Sequence, residues 1–429
     1  MRKFFIIIIL LLQVKNVLAN PVSFDLRTNG KVTSVKNQGI PGPCWAFAGL
    51  GACESNYLMQ NLGNKIDLSE MQLAYFMYRD KKIERNFSSR LKNGTLKLEG
   101  NIFMVTAFLS RLAGPAKEKD LKYSTQNLDS LKQSLKSKSP EDYQREIRLR
   151  DVYFLSWNEY TNNNTRKKLI QKHGAISISF YSDVFEYHNI NGYYTYFNNA
   201  HGEETNHEVL IIGWDDNFSR ENFRPKPSKN GAWLIKNSWG TLRGNNNGYV
   251  WIPYEQYIYG GAAFIVEKNN KRLRHYGYDD LGWCENLNYE WSGNIFMIRE
   301  EKESLKEIAF YTPENNLNYE AYIYVLKNKK SPVNGDMITK LKGVIEYAGY
   351  HTITLPEKIH LKKNDYFSVI IKTSKYTPVE MKIKNYSENF LIHENESYFS
   401  NDGVNWIDGA NLKHKANACI KAFTETKKF

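Results

Sequence analysis

The sequence predicts an α+β domain, helical at its start and β-rich after it, followed by an all-β sandwich domain. Three observations carry this reading. A helix-period apolar stripe of Ala46, Leu50, Cys53 and Tyr57 starts near residue 44. Continuous apolar runs with strand character, such as Val209-Leu210-Ile211-Ile212 and Ala232-Trp233-Leu234-Ile235, recur between residues 170 and 267. Beyond residue 275 the helix signals stop, and short β-prone runs alternate with turn residues such as Asn334-Gly335 and Asp402-Gly403.

The chain opens with Met1-Arg2-Lys3, an apolar run from Phe4 to Leu12, and then Val17-Leu18-Ala19. These are the charged, apolar and small-residue regions of a secretory signal peptide over residues 1–19. The apolar run is too short to span a bilayer, and no later run is long enough. The mature chain is expected to start at Asn20 and to be exported (secreted, periplasmic or held at the cell surface), with no membrane span after signal removal. The formal charge of +12 falls to +9 without those 19 residues. Residues 275–429 carry 20 Lys+Arg against 21 Asp+Glu, so the positive balance lies in residues 20–274. No arginine-rich stripe or nucleic-acid motif accompanies it, and nucleic acid is not an expected partner.

The helix that follows begins in an informative way. Gly42 reads as its N-cap and Pro43 as its first residue, because proline's fixed φ suits that place and its missing N–H is not needed there. Cys44 then falls in the first turn, where unpaired N–H groups and the helix dipole favour a thiolate. A lone cysteine is most often a small buried hydrophobe. Here, however, partners occur. His207 heads the apolar run from Val209 to Ile212, and Asn237 follows the run Ala232-Trp233-Leu234-Ile235-Lys236. An imidazole takes the thiol proton and stabilises the anion as a cation, while an amide oxygen on its far nitrogen fixes the tautomer.

The run Val35-Lys36-Asn37-Gln38-Gly39-Ile40-Pro41-Gly42-Pro43-Cys44-Trp45-Ala46-Phe47, then Asn206-His207-Glu208 and Asn237-Ser238-Trp239-Gly240, resemble in order the motifs of the papain-like cysteine peptidases. Leu68-Ser69-Glu70-Met71-Gln72-Leu73 and the segment from Phe185 to Tyr194 extend the likeness, which covers residues 21–267. The resemblance implies a two-lobe domain, one lobe largely helical and one β-barrel-like, with Cys44 as nucleophile, His207 as general base and acid, Asn237 as the residue orienting it, and Gln38 as an oxyanion donor. It further implies that Trp239 shields the His–Asn bond, that Gly100 offers its backbone to the peptide, and that Glu208 lines a substrate pocket. It calls for no metal and no organic cofactor, and for protein or peptide substrates.

The chain departs from the family pattern at several points. Pro41 stands where the family has the cysteine of a disulfide, and Gly100 is all that remains of a glycine pair. His207 follows Cys44 by 163 residues, a long interval that residues 116–150 help to fill as a surface insertion. Residues 81–97 read as a polar surface loop, and His173 as a structural residue opening a strand. The usual propeptide is not seen before Pro21-Val22-Ser23-Phe24-Asp25. Glu208 replaces a small apolar residue, and two readings stay open: it favours a basic side chain at P2, or it turns away to pair with a lysine.

Cys44 and Cys53 share one helix, about 13 Å apart, and cannot bridge. Cys284 and Cys419 either form a disulfide or remain two free buried thiols. Lys268-Asn269-Asn270-Lys271-Arg272 reads as a linker between a peptidase domain at 20–270 and a sandwich domain at 271–429. The latter resembles the lectin-like domain of some bacterial papain-like peptidases, through Tyr276-Gly277-Tyr278-Asp279-Asp280-Leu281-Gly282-Trp283 and Tyr347-Ala348-Gly349-Tyr350-His351-Thr352-Ile353. A glycan or cell-surface ligand is the partner class this implies, against a structural or docking role. The expected activity is that of an exported cysteine endopeptidase. The alternative is a catalytically silent papain-like scaffold that acts as a glycan- or protein-binding adhesin. Transglutaminase-like chemistry is disfavoured, since those enzymes orient histidine with aspartate.

Overall fold

In the computed structural model, residues 20–426 are described apart from 40–41, 78, 81–82, 85–98, 125–132, 156–162, 201, 203, 242–246, 374, 385 and 388–389. The signal-peptide segment, Pro41 and nearly all of the 81–97 loop therefore lie outside the described residues.

Helix α1 (Cys44–Met59) is the axis of the first domain. It starts one residue later than the proline rule suggests. Pro43 is the N-cap, and its carbonyl accepts the N–H groups of Ala46 at 2.9 Å and Phe47 at 3.4 Å. Every residue from Trp45 to Leu58 is buried, so the apolar stripe becomes a fully enclosed helix. Its polar members are satisfied inside: Ser55 Oγ donates to the Lys31 carbonyl at 2.7 Å, and Asn56 Nδ2 to that of His173 at 2.9 Å. Helices α2 (Glu70–Phe76) and α3 (Ile102–Ser110) pack on one side of it, and the β-rich lobe on the other.

His173 ends the helix Asn163–His173 rather than opening a strand; the strand begins at Ile176. Its ring meets Tyr153 edge-on at 5.3 Å, and burial pushes its pKa down to about 4, in keeping with a structural role. The insertion reading of residues 116–150 also needs correction. Leu121, Leu135 and Pro140 are buried, and from Ile147 the chain enters the strand Ile147–Phe154 at the centre of the main sheet.

That sheet runs through both domains. Its spatial order begins with four strands of the C-terminal region, Leu273–Tyr276, Ile420–Thr426, Glu303–Thr312 and Gly349–Leu361. It continues without a break into Ile147–Phe154, Tyr259–Lys268, Ile176–Phe180, His207–Asp215, Ala232–Lys236 and Tyr249–Pro253. The join is antiparallel, with Gly349 opposite Tyr153 and Tyr350 opposite Val152. Only glycine suits the first of these places: Gly349 has φ +142°, and an added Cβ would lie 1.9 Å from the Val152 carbonyl oxygen.

A six-stranded sheet covers the C-terminal half of this one in the order Gly335–Ile345, Leu317–Leu326, Tyr366–Lys372, Trp291–Met297, Ser397–Ser400, Ile407–Asp408. Phe296, Ile308, Phe310, Ile323 and Phe367 fill the space between the sheets, giving the expected sandwich. The tyrosines of its two motifs are largely interior, with Tyr276 and Tyr350 buried. The expected linker is a pinned turn, where Arg272 pairs with Glu425 at 2.8 Å and Asn270 bonds the same carboxylate at 3.1 Å. All four cysteines are free. Cys284 N–H donates to the Val379 carbonyl and Cys419 N–H to that of Pro378, on opposite edges of the strand Thr377–Met381.

Candidate active site

Cys44 is the first residue of α1, so its own N–H has no helical acceptor and remains for the cleft. Burial pushes its thiol up to about 12, and Glu208 adds to this when it is ionised. The backbone N–H groups of Glu208, Trp45 and Cys44 itself work the other way. Burial and the helix-start N–H groups therefore act on the thiol in opposite directions.

His207 opens the strand His207–Asp215, and Asn237 follows the strand Ala232–Lys236 that pairs with it. Adjacent strand ends bring the two side chains together. His207 Nε2 meets Asn237 Oδ1 at 2.8 Å, which leaves Nδ1 for a proton from the thiol. Trp239 stacks on the imidazole at 4.9 Å and 26°, and Phe180 meets its edge at 6.0 Å. Burial lowers the imidazole pKa to about 4, while the bond to Asn237 opposes that shift. Each ion alone is penalised by the dry surroundings. Moving the proton from sulfur to nitrogen makes both ions at once, so each becomes the other's counter-charge.

Gln38 is stitched to the same loop. Its N–H donates to the Ser238 carbonyl at 2.7 Å, Gly240 N–H donates to that of Lys36 at 3.0 Å, and Asn37 bridges to Trp239. Ser238 Oγ donates to Gln38 Oε1 at 2.5 Å, which turns the amide so that Nε2 faces the start of α1. Nε2 lies so close over Gly42 that a Cβ there would stand 1.8 Å from it. Two further supports hold the Gln38 loop. Tyr123 donates to the Gln38 carbonyl at 2.7 Å, and Lys36 pairs with Glu54 at 3.0 Å and Glu70 at 2.7 Å. Sequence reasoning missed Tyr123 and Ser238. Ser238 had a signal in its place between Asn237 and Trp239, whereas Tyr123 lies in a segment read as a surface insertion.

Cys44, His207, Glu208 and Gly100 line one cleft of about 710 Å³, with Gln38, Asn237 and Trp239 adjoining. All the site residues expected from the sequence are therefore brought together. Glu208 does not turn away to a lysine. Its carboxylate takes hydrogen bonds from Ser179, the Ile102 N–H and Ser177, and burial pushes its pKa up to about 8. Among the described residues no cluster of three or more His, Cys, Asp or Glu could hold a metal ion, and no helix is long and apolar enough to cross a membrane.

The model of the family described as papain family cysteine protease matches residues 20–265. The chain belongs to the papain family. A second model, described as a lectin like domain, matches residues 275–424. Among papain-family relatives, the viral cathepsin of Mamestra configurata nucleopolyhedrovirus is 32% identical over 240 residues, covering 54% of this chain and 57% of that protein. Cathepsin K of Mus musculus is 29% identical over 234 residues, covering 54% of this chain and 59% of that protein. The chain thus spans less than two thirds of the length of these curated relatives. A structure of the cysteine protease and lectin-like domains of Cwp84, a surface-layer-associated protein of Clostridium difficile, superposes with TM-score 0.79 at 23% identity. That match covers 96% of this chain and 90% of the other, so both papain-family and lectin-like parts share its fold.

Proposed function

We propose that the protein is an exported cysteine endopeptidase that cleaves peptide bonds through an acyl-enzyme. The observation that carries this reading is the bond between His207 Nε2 and Asn237, which reserves Nδ1 for Cys44 across the same cleft. Nδ1 takes the thiol proton as sulfur attacks the scissile carbonyl. The resulting oxyanion accepts hydrogen bonds from the Cys44 N–H and from Gln38 Nε2. His207 then gives its proton to the departing amine, leaving a thioester on Cys44. Water, deprotonated by the same imidazole, releases the acid product and restores the thiol. Gly100 presents its backbone to the peptide at the cleft edge. Export rests on the signal-peptide pattern of residues 1–19, and a cell-surface location is in keeping with the surface-layer protein of the same fold. A glycan remains the ligand class suggested by the lectin-like domain.

The test is labelling of full-length protein with an epoxide selective for papain-type thiols, mapped by mass spectrometry. Modification of Cys44, absent after His207→Ala, supports the reading. A folded protein that resists the probe counts against it.

Gly42→Ala is expected to act on the oxyanion side alone. The new methyl displaces the Gln38 amide, and loss of one such donor costs about 100- to 1000-fold in kcat. Comparison with Gln38→Ala checks this: the two variants should be similarly slow and not additive.

Glu208 makes specificity depend on pH. Below about pH 8 the buried carboxyl is neutral and tolerates an apolar P2 side chain; above it, the carboxylate favours arginine. The ratio of kcat/KM for P2 Arg over P2 Leu should therefore rise from pH 6 to pH 9 in the wild type and stay flat in Glu208→Gln.

A further inference from the structure

The two motifs that carry the lectin-like resemblance are also where the C-terminal domain meets the peptidase domain. Trp283 closes the first motif. Its indole packs edge-on to Phe103 of α3 at 5.7 Å and lies 6.2 Å from Phe154, with Tyr311 behind it at 6.2 Å. Ala348, in the second motif, accepts the Phe154 N–H at 2.8 Å and is itself held by Asn315 Oδ1 at 2.7 Å. The chain ahead of Trp283 is pinned from both domains. Arg111 Nη1 of the peptidase domain donates to the Asp280 carbonyl at 2.9 Å, and Leu281 N–H donates to Glu380 Oε1 at 2.7 Å. Trp283, Pro313 and Ala348 line the same cleft as Cys44 and Glu208. One wall of the cleft is therefore built from the second domain.

We propose that Trp283 is a specificity-determining residue, the fixed aromatic wall against which the substrate lays a large P2 side chain with an apolar body. This rests on the proteolytic reading above. Leucine, phenylalanine and the methylene stem of arginine all offer such a body, whereas alanine does not reach the wall. The recessed indole and the buried tyrosines of the same motifs favour this role over sugar stacking, which needs an exposed ring face.

The experiment measures kcat/KM of the full chain on two fluorogenic peptides that differ only in Leu or Ala at P2. The Leu/Ala ratio is expected to fall about tenfold in Trp283→Ala, on the scale set by losing apolar contacts in an enzyme pocket. It should fall less in Trp283→Leu, which keeps bulk at the wall and serves in place of the alanine variant where that one does not fold. Ala348→Leu, which fills the pocket from the neighbouring position, is expected to lower the ratio as well. Turnover with an unchanged ratio, or an equal loss on both peptides, would overturn the proposal while leaving the peptidase reading intact. A wild type inert to both peptides would overturn the two together.

Discussion

Cys44→Ala is expected to lower peptide hydrolysis by about five orders of magnitude or more, the scale seen when an acyl-transfer enzyme loses its nucleophile. The fold should survive. Cys44 is only half-buried at the helix start, and the helix is held by Trp45 to Leu58, all of them interior. Melting curves of the variant and wild type should therefore nearly coincide while turnover disappears. Retained turnover would remove Cys44 from the mechanism. The same chemistry sets the acid limb of the pH profile. His207 must be neutral to accept the thiol proton, so kcat/KM should drop as pH falls through about 4, where burial has moved the imidazole.

The largest expected effect on stability comes from Arg148→Leu. Arg148 is 2% exposed and lies in the strand through which the two domains join. It bonds Glu307 of the C-terminal domain at 2.6 and 3.1 Å, and Glu267 at 2.7 and 2.9 Å. Breaking a buried pair by removing one partner costs about 3–5 kcal/mol, because the other charge stays buried. Arg150 also reaches Glu307, at 3.2 Å, which argues for the lower end of that range. Denaturant unfolding measures the loss, and a cost under about 1 kcal/mol would contradict the argument. A second variant, Arg148→Leu with Glu307→Leu, should recover most of it, since an apolar pair of similar volume leaves no buried charge.

The pH dependence of this pair has a definite sign. Burial works against charge on Glu307, yet Arg148, Lys306 and Arg150 together hold its carboxyl below the ordinary 4.5. The stabilisation is therefore complete above the unfolded value and is lost as pH falls through the lowered folded one. Arg148→Leu should flatten the acid side of the stability profile.

What could be read from the sequence was local. The glycine–proline–cysteine run announced a helix start to within one residue, and two apolar runs placed His207 and Asn237 at strand ends. What could not be read depends on contacts between distant segments. Tyr123 reaches Gln38 across 85 positions, and Ser238 reaches it across 200. The continuous sheet was hidden for the same reason: a polar run at 268–272 has linker composition whether the next strand leaves or returns. At Cys44 burial raises the thiol pKa while the N–H groups of the helix start lower it, and the burial comes from segments far away in the chain.

The shared sheet has a consequence for how the protein comes into being. A ribosome delivers Cys44, His207 and Asn237 long before the strand Gly349–Leu361 that lies beside Ile147–Phe154. Until that strand arrives, the nascent catalytic half carries an unpaired strand edge, and its cleft lacks the wall formed by Trp283 and Ala348. The strand Ile420–Thr426, which pairs with Glu303–Thr312, is made later still. Maturation of the peptidase is thereby timed by the synthesis of its neighbour, and a nonsense mutation in the lectin-like half should act as a protease mutation.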